Sequence, residues 1–173
     1  MTELRSATAD DALAIGEVHV SAWRSAYAGL LPDQYLARLS AARQAAYYER
    51  AILNGAGVHV ITQQGDVVGF STARRTRNNP LGDGEIETLY VLDDYQGNGF
   101  GRALLGASAL YLAELGCASA FVWVLRENPA SFFYAHLGGK RIADSISRVG
   151  GNQTPQTAFC WNPIETLLAG ATL

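Results

Sequence analysis

A glycine-rich segment in the middle of the chain has the residue types that bind phosphate groups. Gln96-Gly97-Asn98-Gly99-Phe100-Gly101, followed by Arg102, comes directly after an apolar run and directly before a helical pattern. Small residues between a strand and a helix let successive backbone N–H groups converge at the helix N-terminus, where the helix dipole also favours negative charge. The segment therefore predicts a site for a phosphate-bearing ligand, and an ordinary tight turn is the alternative.

Two common phosphate-binding motifs do not fit this segment. The P-loop requires a Lys followed by Ser or Thr, and no such pair occurs in the chain. The dinucleotide fingerprint requires a different glycine spacing within a parallel β-α-β unit, whereas the elements before this turn have the pattern of an antiparallel hairpin. A nucleoside triphosphatase is thereby excluded, and a nicotinamide enzyme is disfavoured.

Two carboxylates lie on the predicted strand that precedes the turn. Glu85 and Glu87 are two residues apart, so on a regular strand their side chains share one face while Ile86 and Thr88 take the other. A carboxylate can accept a proton from a reacting group, directly or through water. Both glutamates are candidate general bases, and a solvated position at a strand start is the alternative.

The chain is long enough and apolar enough to fold around these residues. Its 173 residues correspond to about one domain of ~150 residues, so we expect a single domain over 1–173. Hydrophobic residues make up 49% and charged residues 17%, which is the opposite of a disordered composition. The 13 basic and 16 acidic residues give a net charge of −3 at pH 7, which disfavours nucleic acid as a partner.

Cysteine and histidine usage gives no sign of a disulfide framework or a metal site. Cys117 and Cys160 are too few and too far apart, and the three histidines are scattered without metal-ligand spacing. The uncharged helical stretch 103–113 falls short of the ~20 apolar residues that a membrane span needs. We therefore expect a cytoplasmic protein that binds neither metal nor membrane.

Hydrophobic periodicity predicts alternating strands and helices. Thr8 with Asp11 three residues later predicts a helix start, and β-branched runs on either side of 63–66 predict a hairpin. Gly138-Gly139 predicts a left-handed helix stop. The predicted strands are 4–7, 58–62, 67–73, 85–92, 118–125, 141–149 and 157–161, and the predicted helices follow Thr8, follow Pro32, cover 41–53, lie between Gly101 and Gly116, and cover 129–137.

Three segments resemble one superfamily. Gln96 to Gly101 fits the Q/R-x-x-G-x-G/A motif of the GCN5-related N-acetyltransferase (GNAT) superfamily, and the order of elements is similar over nearly the whole chain. Asn128 to Gly139 resembles the family's N-x(5 or 6)-Y-x-x-L-G-F/G segment, with Gly139 where many members have Phe. Trp23 to Pro32 resembles a bacterial subgroup with a W-R-x-A-Y-x-G-L-L-P opening. The resemblance implies an α/β (α+β) fold with a central mixed, mostly antiparallel sheet flanked by helices.

The resemblance also implies acetyl-coenzyme A (acetyl-CoA) as the cosubstrate, without a metal. Its pyrophosphate would lie on the turn formed by Gln96, Gly97, Asn98, Gly99, Phe100 and Gly101 and on the following Arg102. The backbone amide of Val91 would hold the acetyl carbonyl, Leu89 would align the pantetheine arm, and Asn128 would contact that arm. Capping of the helix that follows is an alternative or additional role for Asn128.

Four further side chains receive roles by resemblance. Tyr134 matches the family tyrosine that lies near the coenzyme sulfur, where it protonates or hydrogen-bonds the departing thiolate, and a core aromatic position is the alternative. Glu85 stands eleven residues before Gln96, where some members place their general base, so we prefer it over Glu87. Trp23 and Tyr27 fall in the region that lines the acceptor site in relatives, so we predict that they contact the substrate.

These residues predict an acetyl-CoA-dependent N-acyltransferase. It would transfer an acetyl group directly to a primary amine of a small molecule or of a peptide or protein N-terminus. The alternative is a non-catalytic acyl-CoA-binding sensor that keeps the phosphate turn without turnover. An exposed edge of the expected sheet would be compatible with a homodimer.

Overall fold

Runs of β-branched and aromatic residues form the strands, and runs rich in leucine and alanine form the helices, as their intrinsic preferences favour. The computed structural model describes residues 1–171. The strands are β1 Thr2–Ser6, β2 Gly57–Gln63, β3 Asp66–Arg75, β4 Gly84–Val91, β5 Ala120–Leu125, β6 Lys140–Val149 and β7 Asn152–Trp161. The helices are α1 Ala12–Ala26, α2 Asp33–Ala37, α3 Ala41–Leu53, α4 Phe100–Glu114, α5 Ala130–His136 and α6 Glu165–Ala171. Short 3-10 helices at Ala9–Asp11 and Asp93–Tyr95 precede α1 and the glycine-rich turn.

The seven strands form one mixed sheet with the order β1-β2-β3-β4-β5-β7-β6. Neighbouring strands are antiparallel except β4 and β5, which are parallel. Within residues 1–171 this parallel pair is joined at only two positions, Gly84 with Ala120 and Glu85 with Phe121. Beyond them the two strands diverge and open a cleft in the middle of the sheet. The predicted fold class is confirmed.

The helices cover both faces of the sheet. The Ser71 hydroxyl of β3 donates a hydrogen bond to the Leu104 carbonyl of α4, over 3.3 Å. Its neighbour Phe70 packs with Ile15 and Val18 of α1. Because consecutive strand residues point to opposite faces, α1 and α4 lie on opposite sides of the sheet. The cleft between β4 and β5 is therefore bordered by α4 on one face and by α1 on the other.

A β-bulge interrupts β4 at the predicted glutamates. Thr72 of β3 pairs with Thr88, and Ala73 pairs with Ile86, so Glu87 is the extra residue of the bulge. The extra residue shifts the alternation of side chains along the strand. The prediction that Thr88 shares a face with Ile86 is wrong for this reason, because a bulge leaves no mark in a sequence read with period two.

A glycine permits the close approach of β4 and α4 beside the point where the sheet opens. A Cβ atom at Gly84 would lie 2.8 Å from a terminal carbon of Leu112, which is fully buried. Leu112 belongs to the main core cluster together with Leu105 and Ile86. A side chain at position 84 would therefore require the buried Leu112 side chain of α4 to shift.

The predicted helix start at the N-terminus is confirmed. The backbone N–H of Thr8 donates to the Asp11 carboxylate over 2.8 Å, which completes a capping box. Arg5 donates two further hydrogen bonds to the same carboxylate, over 2.7 and 3.0 Å. These bonds, with that of Arg5 the strongest, hold the pKa of Asp11 below its ordinary value.

The C-terminal part departs most from the predicted elements. β7 begins at Asn152 rather than at the predicted Thr157. Pro155 and the polar residues around it hide this strand start, because proline cannot donate to a sheet ladder. The helix α6 was not among the predicted elements. Its Gly170 carbonyl accepts a hydrogen bond from Arg102 Nε over 2.9 Å, so α6 fixes the side chain that follows the glycine-rich turn.

Candidate active site

The cleft between the diverging ends of β4 and β5 has a volume of about 1020 Å³. Its walls come from α1, β4, β5, α5, the glycine-rich turn and the β6–β7 hairpin. Most of the predicted site residues line it: Trp23, Tyr27, Glu87, Leu89, Val91, Gln96, Gly97, Gly99, Phe100, Gly101, Arg102, Asn128 and Tyr134. Glu85 and Asn98 are predicted site residues that lie outside the lining.

The glycine-rich turn has the conformation that a nest of backbone donors requires. Gly97 and Gly99 have φ values of +81° and +80°, and a Cβ atom at either would meet nothing within 4 Å. These glycines are therefore needed for their left-handed backbone and not for space. The helix α4 starts at Phe100, so its first N–H groups point into the cleft end formed by the turn. The Asn98 side chain faces back and donates to the Tyr95 carbonyl over 3.2 Å.

The backbone of β4 presents hydrogen-bonding groups to the cleft. The Leu92 N–H donates to Val68 of β3 over 2.9 Å, so the N–H and carbonyl of the preceding Val91 point the other way, towards the cleft. The Val91 carbonyl accepts a hydrogen bond from Gln96 Nε2 over 3.2 Å. This bond ties the first residue of the turn to the strand end and leaves the Val91 N–H facing the opening.

Tyr134 lies on α5 and lines the cleft although only 4% of it is exposed. Its ring packs edge-on against Trp161, with ring centroids 6.0 Å apart, and against Phe133 and Phe159. Burial raises the pKa of Tyr134 well above its ordinary value of 10.0. The phenol is therefore protonated and held in one place, which suits a proton donor.

Glu85 and Glu87 are joined by one cation. Arg74 of β3 lies 3.0 Å from Glu85 Oε1 through Nη2 and 3.3 Å from Glu87 Oε2 through Nε. Glu85 is the more buried of the two carboxylates, and burial is the main cause that raises its pKa, against the opposite effect of Arg74. Of the two, Glu87 on the bulge reaches the cleft.

Asn128 has two partners. Its Oδ1 accepts the Ala130 N–H over 2.9 Å, which caps α5, and its Nδ2 donates to the Tyr27 hydroxyl over 3.0 Å. The capping role proposed from the sequence is confirmed. The second bond links the two sides of the cleft, since Tyr27 ends α1 and Asn128 follows β5.

Aromatic rings form the wall of the cleft beside α1. Trp23 and Tyr27 meet edge to face with centroids 4.8 Å apart, and Tyr90 of β4 lies 6.4 Å from Trp23. The imidazole of His19 stacks on Trp23 from behind, at 5.4 Å and 8°. Burial raises the pKa of Tyr90 well above 10.0.

Sequence reasoning missed Tyr90 and Asp93, which also line the cleft. Asp93 starts the 3-10 helix before the turn and accepts a hydrogen bond from the Ser25 hydroxyl of α1. Its position beside the glycine-rich turn was the one available signal. Tyr90 gave no signal, because the bulge decides which face it takes.

No group of three His, Cys, Asp or Glu side chains within residues 1–171 is arranged to hold a metal ion. Among the helices between residues 1 and 171, none has the length and apolar character needed to cross a bilayer.

A mixed sheet that opens between a parallel pair of strands, beside a glycine-rich turn that starts a helix, defines an acyl-coenzyme A-dependent transferase of the N-acetyltransferase class. The model of the acetyltransferase (GNAT) family matches residues 21–138. The chain belongs to that family, and the predicted enzyme class is confirmed.

Three proteins are similar to this chain over most of its length, one in sequence and two in fold. The chain is 32% identical over 168 residues to the uncharacterized N-acetyltransferase YuaI of Bacillus subtilis (strain 168), and the match covers 96% of each chain. A GCN5-related N-acetyltransferase from Rhodopseudomonas palustris superposes with a TM-score of 0.74 at 22% identity, covering 94% of this chain and 96% of that one. YncA from Salmonella typhimurium, solved with its cofactor acetyl-CoA, superposes with a TM-score of 0.70 at 23% identity, covering 93% of each chain.

Proposed function

We propose that this protein transfers the acetyl group of acetyl-CoA directly to a primary amine. The observation that carries the proposal is that the glycine-rich turn, Val91 and the buried Tyr134 all line the same cleft. Acetyl-CoA in the similar YncA structure supports the choice of cosubstrate. Bound acetyl-CoA supplies an activated thioester carbonyl.

The residues present fit such a ligand. The turn from Gln96 to Gly101 offers backbone donors at the N-terminus of α4, and Arg102 adds a cation beside them. The cleft volume of about 1020 Å³ extends from this turn past Leu89 and Asn128, which gives a long arm a continuous path. These residues would hold the diphosphate and the pantetheine arm, as the sequence predicts.

The chain supplies three groups for the transfer. Glu87 faces the cleft from the bulge and accepts the proton of the incoming ammonium, directly or through water. The Val91 N–H donates to the oxygen that gains negative charge when the amine attacks. Tyr134, protonated because burial raises its pKa, gives its proton to the departing thiolate.

Glu85 is the general base preferred from the sequence, and its partner Glu87 takes that role in this proposal because it lines the cleft. Glu85 remains 3.0 Å from Arg74, whose other contact is with Glu87. The charge of Glu85 therefore affects Glu87, because both carboxylates contact Arg74. Single substitutions of the two glutamates distinguish the assignments.

The acceptor is an amine of a small molecule or of a peptide or protein N-terminus. One bacterial relative, 28% identical over 82 residues, is the [ribosomal protein bS18]-alanine N-acetyltransferase of Haemophilus influenzae. We place Trp23 and Tyr27 on the acceptor side because they line the cleft on the face opposite α4. Both belong to the W-R-x-A-Y-x-G-L-L-P segment that resembles a bacterial subgroup.

Two measurements test the function. Calorimetric titration with acetyl-CoA is expected to give saturable binding at one site per chain. Release of free thiol from acetyl-CoA, followed over a panel of amines and short peptides, is expected to require an amine. If acetyl-CoA binds but no acceptor causes thiol release, the protein is an acyl-CoA sensor and not an enzyme. If acetyl-CoA does not bind, both functions are wrong.

A further inference from the structure

The two sides of the cleft differ in chemistry. On the α4 side lie the glycine-rich turn and Arg102, which suit a phosphorylated ligand. On the α1 side the wall is made of aromatic rings, with two carboxylates at its edges, Glu87 and Asp93. If acetyl-CoA enters from the α4 side, as the proposed function requires, the acceptor meets the aromatic and acidic side.

The aromatic wall is fixed before any ligand arrives. Trp23 is held from behind by the stacked imidazole of His19, and His19 Nδ1 is in turn 2.8 Å from the Tyr48 hydroxyl. Tyr27 is anchored through its hydroxyl by Asn128, over 3.0 Å. A rigid wall binds a flat apolar group with little loss of side-chain freedom.

The charges on this side favour a cation and disfavour an anion. Asp93 is exposed, and its recorded partners among residues 1–171 are the Ser25 hydroxyl and the Gln96 amide, both neutral. Arg74 of β3 is shared between Glu85 and Glu87, so these three side chains together keep a net negative charge. A ligand carboxylate placed beside Glu87 and Asp93 would face two acids.

We infer that the acceptor is a primary amine carried on a flat apolar or aromatic body without a carboxylate, and that Trp23, Tyr90 and Asp93 select it. The inference rests on the proposed function and narrows its substrate class. The ring faces bind the body, and they also attract an ammonium group through their negative π-clouds. Asp93 favours the charged amine over zwitterionic amino acids.

Matched probes test the selection directly. Phenethylamine has the proposed features, L-phenylalanine adds one carboxylate to it, and ethylamine lacks the ring. With acetyl-CoA present, we expect kcat/KM for phenethylamine to exceed that for L-phenylalanine by about 100-fold and that for ethylamine by about 10-fold. Calorimetric titration into the CoA-bound protein is expected to rank the three probes in the same order.

Variants assign the selection to residues. Asp93→Asn is expected to reduce the preference for phenethylamine over L-phenylalanine about 10-fold, and Asp94→Asn, the neighbouring exposed acid outside the cleft lining, is expected to keep it. Trp23→Leu is expected to weaken phenethylamine binding about 10-fold with the affinity for CoA unchanged. Trp23→Leu could unfold the chain. Asp93 is exposed, so Asp93→Asn tests the acceptor selection without that risk.

The outcomes separate this inference from the proposed function. One outcome is that the protein binds CoA and acetylates amines, yet uses L-phenylalanine, ethylamine or a peptide as efficiently as phenethylamine. That result overturns the inferred acceptor class and leaves the proposed transferase activity intact. An unchanged preference in Asp93→Asn overturns the role of that acid. Failure of transfer to every acceptor, with CoA bound, removes the transferase and this inference with it.

Discussion

The side-chain amide of Asn128 donates a hydrogen bond to the Tyr27 hydroxyl over 3.0 Å, although the two residues are 101 positions apart. The bond closes the cleft on one side, because Tyr27 ends α1 on one face of the sheet and Asn128 follows β5. The same Asn128 caps α5, the helix that carries Tyr134. One amide thus fixes an acceptor-side ring and the helix of the proposed proton donor.

Two substitutions separate these roles of Asn128. We expect Tyr27→Phe to lower the free energy of unfolding by about 1 kcal/mol, because one partly buried hydrogen bond is lost. Asn128→Ala loses that bond and the α5 cap, so about 2 kcal/mol is expected. Urea unfolding of both variants measures the difference, and equal losses would mean that the cap contributes nothing.

The left-handed glycines of the turn allow a matched comparison. Gly99 and Gly65 have φ values of +80° and +88°, and at each a Cβ atom would have nothing within 4 Å. Alanine at either position is expected to cost about 1 kcal/mol of stability through the strained backbone. Only Gly99→Ala is expected to raise the Kd for acetyl-CoA, about tenfold, since Gly65 lies in the β2–β3 hairpin. Equal Kd values for the two variants would contradict the role of the turn.

Removal of one hydroxyl tests the proposed proton donor. Tyr134→Phe is expected to lower kcat about 100-fold and to leave the Kd for acetyl-CoA unchanged, because the ring stays in place. Burial holds the pKa of Tyr134 above its ordinary value of 10.0, so the wild-type phenol stays protonated through alkaline assays. Near-normal turnover by a folded Tyr134→Phe protein would assign the residue to the core instead.

The phosphate turn was predictable because its requirements are local. The segment from Gln96 to Gly101 turns sharply and leads into a helix. The glycine spacing predicts the turn, and the spacing of the leucines that follow predicts the helix. The same holds for Asn128, whose position before proline predicts a cap. Such features depend on neighbours along the chain, so the sequence carries them.

The arrangement around the acceptor was not predictable in the same way. The bulge at Glu87 decides that Thr88 and Tyr90 face α1, and it arises from the pairing of β4 with a strand that the local pattern does not encode. The local pattern gives Arg74 no partner, yet the pairing of β3 with β4 sets it opposite Glu85. These contacts depend on register, which periodicity alone leaves open.

The contact between Arg74 and Glu85 gives the reaction rate a testable pH dependence. Arg74 lowers the pKa of Glu85, whereas burial and Glu87 raise it. Without Arg74 the Glu85 carboxyl is harder to deprotonate, so Arg74→Ala is expected to move the acidic limb of the kcat/KM profile to higher pH. Rate measurements from acidic to neutral pH determine the shift, and an unmoved limb would contradict the coupling.

Substitution of each glutamate then identifies the base. Glu87→Gln is expected to lower kcat about 100-fold, because the group that faces the cleft no longer accepts a proton. Glu85→Gln keeps that group, so a smaller loss is expected. A larger loss in Glu85→Gln than in Glu87→Gln would assign the base to Glu85, as the sequence analysis prefers.

The buried His19 makes the stability of the protein depend on pH. Burial lowers the pKa of His19 to about 4, from an ordinary value of 6.5. Because the folded protein binds the proton less well than the unfolded chain, the stabilisation is complete above pH 6.5 and is lost as the pH falls from 6.5 towards 4. The full difference corresponds to about 3 kcal/mol.

Urea unfolding at neutral pH and near pH ~4 measures this loss. The free energy of unfolding of the wild-type protein is expected to fall by several kcal/mol between these two pH values. The fall is expected to be smaller in His19→Gln than in any other single variant, because glutamine does not titrate. His59 is the matched control: burial also lowers its pKa, so His59→Gln is expected to remove a smaller part of the same dependence. An equal pH dependence in wild type and His19→Gln would contradict the assignment.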